Sequence, residues 1–272
     1  MRKKPFSISP NPAFLFLTPS LKATLHKTRY VIDERQGLTA ILGDVGLGKS
    51  SIVRLLHAEY TSRDDTSAAL IPTPNFVSDF AFVREVCGEF GLPARRSLQA
   101  QEQELRNFLL SVYADGRNAV LFIDEAQRLS PKMLEQIRAF LNYETDEDKL
   151  IQIVLVGQIE LLEVLRDPKR KAIRSRIFAP SILDPLSLTE TRQMVGFRCE
   201  LAEMRNPFPD ETIDALYAIT GGVPRDVLKV CAIAYELARM NGETEVPAVA
   251  VPYAAEQARL REIEAATEAA TV

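Results

Sequence analysis

Gly43-Asp44-Val45-Gly46-Leu47-Gly48-Lys49-Ser50 joins two segments of different character. Before it, Leu38-Thr39-Ala40-Ile41-Leu42 is a short apolar run that reads as a buried strand. After it, Ser51-Ile52-Val53-Arg54-Leu55-Leu56 reads as a helix. A strand, a glycine-rich turn and a helix opening on Lys-Ser together make a phosphate cradle. Glycines let the backbone curl until its N–H groups converge on an anion, and the helix N-terminus adds partial positive charge. Gly43, Asp44, Val45, Gly46, Leu47, Gly48, Lys49, Ser50 and Ser51 are the expected nucleotide-binding residues. Lys49 would reach the β- and γ-phosphates of ATP, and the Ser50 hydroxyl would bind Mg²⁺. A plain glycine-rich turn is the alternative, and the flanking strand and helix argue against it.

Outward from the cradle, strands alternate with helices. Thr18-Pro19-Ser20 looks like a helix start, followed by an apolar face of Leu21, Leu25, Tyr30 and Ile32. A polar stretch, Ser62 to Ser67, precedes a second strand at Ala68-Ala69-Leu70-Ile71. Helical spacing follows over Asp79 to Phe90 and again over Gln99 to Tyr113. Ala119-Val120-Leu121-Phe122-Ile123 is continuously apolar, as suits a central parallel strand covered on both faces. Pro131 to Asn142 reads as helix, and Ile151 to Val156 as another buried strand. The alternation predicts a doubly wound α/β parallel sheet over 18–185. Residues 1–17 read as an extended, aromatic- and Pro-rich arm. From Leu186 the pattern is all helical, giving a small lid domain over 186–250. Ser187-Leu188-Thr189-Glu190 matches a capping box, with a helix running to about Met204. Pro209-Asp210 opens another, Pro224 sits in the first turn of a third, and residues 251–272 form a last helix and a tail.

Leu121-Phe122-Ile123-Asp124-Glu125 puts two carboxylates at the end of a buried strand. Asp124 suits a Mg²⁺-bound water, and Glu125 suits a general base that polarises the attacking water. The pair favours ATP hydrolysis over small-molecule phosphoryl transfer, and no Asn-Lys-x-Asp guanine motif is present. Gln158 ends the next strand, where an amide holds the attacking water or the γ-phosphate, or simply closes the strand. Six of the eleven residues from Arg166 to Arg176 are basic. Arg174 and Arg176 lie about where an arginine donated to a neighbour's ATP site is expected; a solvated charged face is the plain alternative. Arg225, in Gly222-Val223-Pro224-Arg225, opens a lid helix and either meets the γ-phosphate or is a surface arginine beside Asp226.

The formal net charge of the 272-residue chain is −4, so any nucleic-acid surface must be a local patch. The three cysteines, Cys87, Cys199 and Cys231, show no CxxC spacing and read as buried thiols in a reducing compartment. Two histidines leave little for a zinc site or a Ser-His-Asp triad. The apolar runs are too short to span a bilayer, and no signal peptide is read, so no membrane partner is expected and the expected location is cytoplasmic.

The cradle, the Asp-Glu strand, the polar strand tip, the arginines and a helical lid with Gly-x-Pro-Arg occur here in an order that resembles the AAA+ ATPase superfamily, a branch of the P-loop ASCE class. The sequence is similar in particular to the ExeA-like group with its TniB and TnsC transposition relatives. Asn11 to Ser20, Tyr30-Val31-Ile32, Gly37-Leu38-Thr39, Asp124-Glu125-Ala126-Gln127 and Leu155-Val156-Gly157-Gln158 carry that likeness. The resemblance implies an ATP-dependent homo-oligomer whose sites are completed by a neighbour's arginine. Secretion-type members usually continue into a membrane span and a peptidoglycan-binding domain, and neither is read in this sequence. The resemblance therefore implies, first, a transposition regulator that assembles on duplex DNA, recruits transposase or target-selection proteins, and disassembles on hydrolysis. A secretion-pathway assembly ATPase acting on protein partners is the alternative.

Filament-type DNA binding needs only a few cations per subunit, read against backbone and shape. The DNA candidates are Arg95, Arg96 and Asn75, with Lys132 as a further option. The resemblance carries that expectation; the composition does not.

Overall fold

Residue burial and chain direction explain the sheet. The computed structural model describes residues 4–9 and 11–258. Contacts divide it into an α/β unit, Pro19–Val45 with Lys49–Leu183, and a helical unit, Asp184 onward with the N-terminal arm and the turn tip Gly46–Gly48.

The α/β unit runs α1 (Pro19–Asp33), β1 (Leu38–Leu42), α2 (Lys49–Thr61), β2 (Thr66–Ile71), α3 (Asp79–Glu89), α4 (Leu98–Ala114), β3 (Asn118–Ile123), α5 (Pro131–Phe140), β4 (Gln152–Gly157), α6 (Glu160–Arg166), α7 (Lys171–Arg174) and β5 (Ser181–Ile182). All strand pairs are parallel, in the order β2-β3-β4-β1-β5. Every residue of β1 and β4 is buried, and so is β3 from Ala119 onward. Helices on both faces account for that, which is why these strands are apolar runs and not alternating ones. Because all five run the same way, their carboxyl ends line one edge. That edge is where open α/β sheets place their ligands. The pairing Leu42↔Gly157 and Ile123↔Leu155 sets β4 between the cradle strand and the acidic strand.

Helix starts follow local capping chemistry. Ser78, Ser97 and Ser130 each accept a hydrogen bond from a backbone amide in the first turn of α3, α4 and α5. Gln101, fully buried on α4, accepts the Arg95 amide at 2.7 Å and donates to the Pro93 carbonyl, so it anchors the preceding loop.

Four details depart from the pattern reading. β2 begins at Thr66, so the end of the polar stretch is strand; the pairing Thr66↔Asn118 with β3 draws it in. Tyr30 lies off the buried face of α1, half-exposed and stacked on Phe178 at 6.2 Å. Thr24 and Thr28 occupy that face instead, with the Thr28 hydroxyl donating back to the Thr24 carbonyl at 2.9 Å. The basic run 166–176 is folded into α6, a 3-10 turn at Pro168–Arg170 and α7, with Ile173 fully buried. The helix opened by Ser187 ends at Leu201, where Glu203 takes a left-handed φ of 57° and the Met204 amide returns to the Cys199 carbonyl.

The helical unit holds α8 (Leu188–Leu201), α9 (Asp210–Thr220) and α10 (Pro224–Met240), with helix again over 250–258. The capping box is formed in both directions between Ser187 and Glu190. Val195, Cys199, Ile213, Leu216, Val227, Cys231, Val251 and Ala254 share its core. Phe6 of the arm enters that core, 5.4 Å from Phe208 in an edge contact. Arg198 donates to the Pro5 and Ser7 carbonyls and lies over the Phe14 ring at 5.3 Å. The rest of the last helix and the tail expected over 251–272 lie, beyond residue 258, outside the described residues.

Candidate functional site

The Gly-rich turn takes the conformation its glycines permit. Gly46 and Gly48 both have φ near +89°, where a side chain is strained. α2 opens at Lys49, directing its first amides toward the turn. Lys49 is buried, and its Nζ donates to the Gly43 and Asp44 carbonyls at 2.7 Å each. A buried ammonium needs such partners, because desolvation without them is costly.

Asp124 stands at the end of β3, and its own amide donates to the Ile71 carbonyl at 2.9 Å. Its carboxylate accepts the Ser50 hydroxyl and the Glu125 amide. Burial pushes the Asp124 carboxyl above the usual range, opposed by the Ser50 and Glu125 hydrogen bonds and by the Lys49 charge. The two residues expected to face Mg²⁺ are thus already side by side. Both offer hard oxygen donors, the class that cation takes.

Glu125 adopts a left-handed backbone, φ 52°, uncommon for a residue with a side chain. Its carbonyl accepts the Arg128 amide, which begins a short 3-10 turn over Ala126–Arg128. The sharp turn brings Gln127 back, and the Gln127 amide nitrogen donates to Glu125 Oε2 at 2.6 Å. Gln127 Oε1 in turn accepts the Gln158 amide at 3.0 Å. Gln158 is half-buried at the tip of β4, as expected from sequence. The role of Gln127 was missed: it stood in the motif, but its contact depends on β3 and β4 being neighbours.

Arg225 lies at the start of α10, with its amide donating to the Gly46 carbonyl at 3.2 Å. A Cβ at Gly46 would stand 2.8 Å from Val223 Cγ1 and 3.1 Å from Arg225 Cβ, so this approach also requires glycine. Arg174 donates to the Arg166 carbonyl at 3.1 Å, and Arg176 to the Ala172 carbonyl and Asn142 Oδ1. Those bonds hold both guanidinium groups against the segment 142–172 of the same unit.

The DNA candidates all lie exposed on the α/β unit. Arg95 is ion-paired with Glu104 at 2.6 Å, which offsets its charge. Arg96 and Asn75 are exposed, and Lys132 is exposed on α5. No group of three or more His, Cys, Asp or Glu side chains suited to a metal occurs among the described residues. Among the same residues, no helix is long and apolar enough to cross a membrane.

Comparison with known proteins places the chain among similar sequences and folds. Residues 32–165 match the family model described as an AAA domain. General secretion pathway protein A of Aeromonas hydrophila is 34% identical over 249 residues, covering 90% of this chain and 45% of the relative. The chain therefore spans under half the length of that curated relative. Among solved structures, the Aeropyrum pernix ORC2 protein aligns with TM-score 0.65 at 16% identity, over 93% of this chain and 71% of that one. The Aeropyrum pernix ORC1 protein, solved in complex with DNA, aligns with TM-score 0.70 at 14% identity, over 93% and 69%. The Thermotoga maritima RuvB Holliday junction branch migration motor aligns with TM-score 0.55 at 15% identity, over 86% and 68%. At these identities the structural matches speak for the fold alone.

Proposed function

The chain carries an AAA+ ATPase domain of the ExeA-like kind, and from that premise we propose that it hydrolyses ATP and works as a nucleotide-driven assembly factor for a protein machine. One observation carries the hydrolytic reading. Lys49, Ser50, Asp124, Glu125 and the Gln158 tip are gathered at the carboxyl edge of one parallel sheet.

In this reading the cradle amides and Lys49 hold the β- and γ-phosphates. Ser50 and Asp124 would hold Mg²⁺, which when bound neutralises charge developing on the phosphoryl oxygens. Glu125 accepts a proton from the attacking water and orients it in line. Gln158 meets that water or the γ-phosphate from β4. Arg225 reports on the nucleotide from the start of α10, and a copy of the chain supplies Arg174 or Arg176 in trans. The product is ADP and inorganic phosphate.

The protein-partner reading rests on the 34% identical secretion relative. It takes precedence over assembly on duplex DNA with a transposase, for which neither the relatives nor the surface adds support. The pairing of Arg95 with Glu104 removes one of the few cations that reading relied on.

The test combines phosphate release with light scattering, with and without duplex DNA. The expected result is Mg²⁺-dependent turnover and larger assemblies with a non-hydrolysable ATP analogue, neither requiring DNA. Retention on plain duplex DNA only when nucleotide is present would reverse the choice of partner.

A further inference from the structure

Gln127 touches both halves of the catalytic edge at once. Its Nε2 donates to Glu125 Oε2 at 2.6 Å while its Oε1 accepts the Gln158 amide at 3.0 Å. The partners leave no freedom in how the amide is oriented. An ionised carboxylate only accepts and a backbone N–H only donates, so the amide must present nitrogen to Glu125 and oxygen to Gln158.

The surroundings are built around this bridge. Glu125 is held at φ 52°, and the 3-10 turn that follows returns residue 127 toward β4. Gly157 is buried beside it. A Cβ there would lie 2.9 Å from Gln127 Oε1, 3.2 Å from the Gln127 amide nitrogen and 3.4 Å from the Ala126 nitrogen. A side chain at 157 would displace the Gln127 amide oxygen and crowd the 126–127 backbone.

We propose that Gln127 is a positioning residue: it aims the Glu125 carboxylate at the attacking water and ties that aim to the tip of β4. The proposal rests on the hydrolytic reading above and adds a means of regulation to it. Gln127 touches neither phosphate nor water in this scheme; it acts through Glu125. Any displacement of the Gln158 segment pulls on the same amide that holds the base. A base turned away by about 1 Å can lose up to about a hundredfold in rate while substrate binding is unaffected.

The test uses the full chain with Gln127→Ala, Gln127→Glu and Gly157→Ala. Phosphate release gives kcat and KM, and a fluorescent ATP analogue gives Kd. The expected result for both Gln127 variants is a kcat at least about tenfold lower, with KM and Kd within about twofold of the parent. Gln127→Glu, nearly equal in size, should lose at least as much as Gln127→Ala, because it sets carboxylate against carboxylate. A role in packing alone would rank the glutamate variant near the parent. Gly157→Ala should reproduce the kcat loss by pushing the amide aside. A kcat within about twofold of the parent in either Gln127 variant overturns the proposal, as does a loss that lies wholly in KM and Kd. If the alanine variant does not fold, the glutamate variant decides alone. If Gln127 variants match a parent that turns over ATP, only this proposal falls. A parent with no turnover removes the hydrolytic reading and this one with it.

Discussion

The Ser50 hydroxyl donates a hydrogen bond to the Asp124 carboxylate, joining the first turn of α2 to the end of β3. These residues are 74 positions apart in the chain and meet because β1 and β3 flank β4. The contact places two oxygen donors where a Mg²⁺–nucleotide complex would dock. Asp124→Asn should abolish Mg²⁺-dependent turnover, and Ser50→Ala should raise the Mg²⁺ requirement at least about tenfold. Because burial raises the Asp124 pKa, its charged form weakens the fold once pH exceeds that pKa. Asp124→Asn should therefore melt no lower than the parent at neutral pH, which thermal denaturation checks. A marked drop would mean that the carboxylate is structural.

Arg174 and Arg176 hold carbonyls of their own unit, which fixes their direction before any second copy arrives. If each site is completed in trans, Arg174→Ala and Arg176→Ala should lose turnover at assembling concentrations. Mixing either with Lys49→Ala should restore part of it, since one variant brings an intact cradle and the other an intact arginine. Absence of recovery in both mixtures would remove the finger assignment.

Phe6 gives the N-terminal arm its purchase on the helical core, where it is only 6% exposed. Truncating a buried phenylalanine costs about 3 kcal/mol or more. Phe6→Ala should destabilise the helical unit by that order, read as a lower denaturant midpoint at unchanged m, with hydrogen exchange rising in α8 and α10. An unchanged midpoint would show that the arm merely rests on the surface.

His57 sits on α2 with its ring edge to Phe122 at 6.0 Å, and burial lowers its pKa below 6.5. A base with a depressed folded pKa binds fewer protons in the native state. Its contribution is therefore full above pH 6.5 and is lost as pH falls through the folded value. Denaturation at pH 7.5 and 5.5 should show a smaller acid loss in His57→Gln than in the parent. An equal loss would assign the acid sensitivity elsewhere.

The features legible in the sequence are those encoded by neighbouring residues. The cradle, the strands β1, β3 and β4, the capping box at Ser187 and the acidic pair each follow from a local pattern of glycines, apolar runs or carboxylates. The strand order was not legible, because it depends on pairings such as Thr39↔Val154, set by packing across more than a hundred residues. β5 has two residues, and α7 has four, too short for either period to show. Tyr30 misled because apolar spacing alone cannot see that Thr24 and Thr28 can be buried, the Thr28 hydroxyl being satisfied by the Thr24 carbonyl within the helix. The bridge through Gln127 was hidden for the same reason as the strand order: its two partners meet only once β4 lies beside β3.

The most direct test is Glu125→Gln, assayed in parallel for ATP binding and for phosphate release. In the proposed scheme Glu125 is the base; its carboxylate is held by Gln127 and its amide donates to Asp124. The variant should bind ATP within about twofold of the parent and assemble as the parent does, while kcat falls at least about a hundredfold. Parent-like turnover in a well-folded Glu125→Gln protein would contradict the placement of hydrolysis at the carboxyl edge of this sheet.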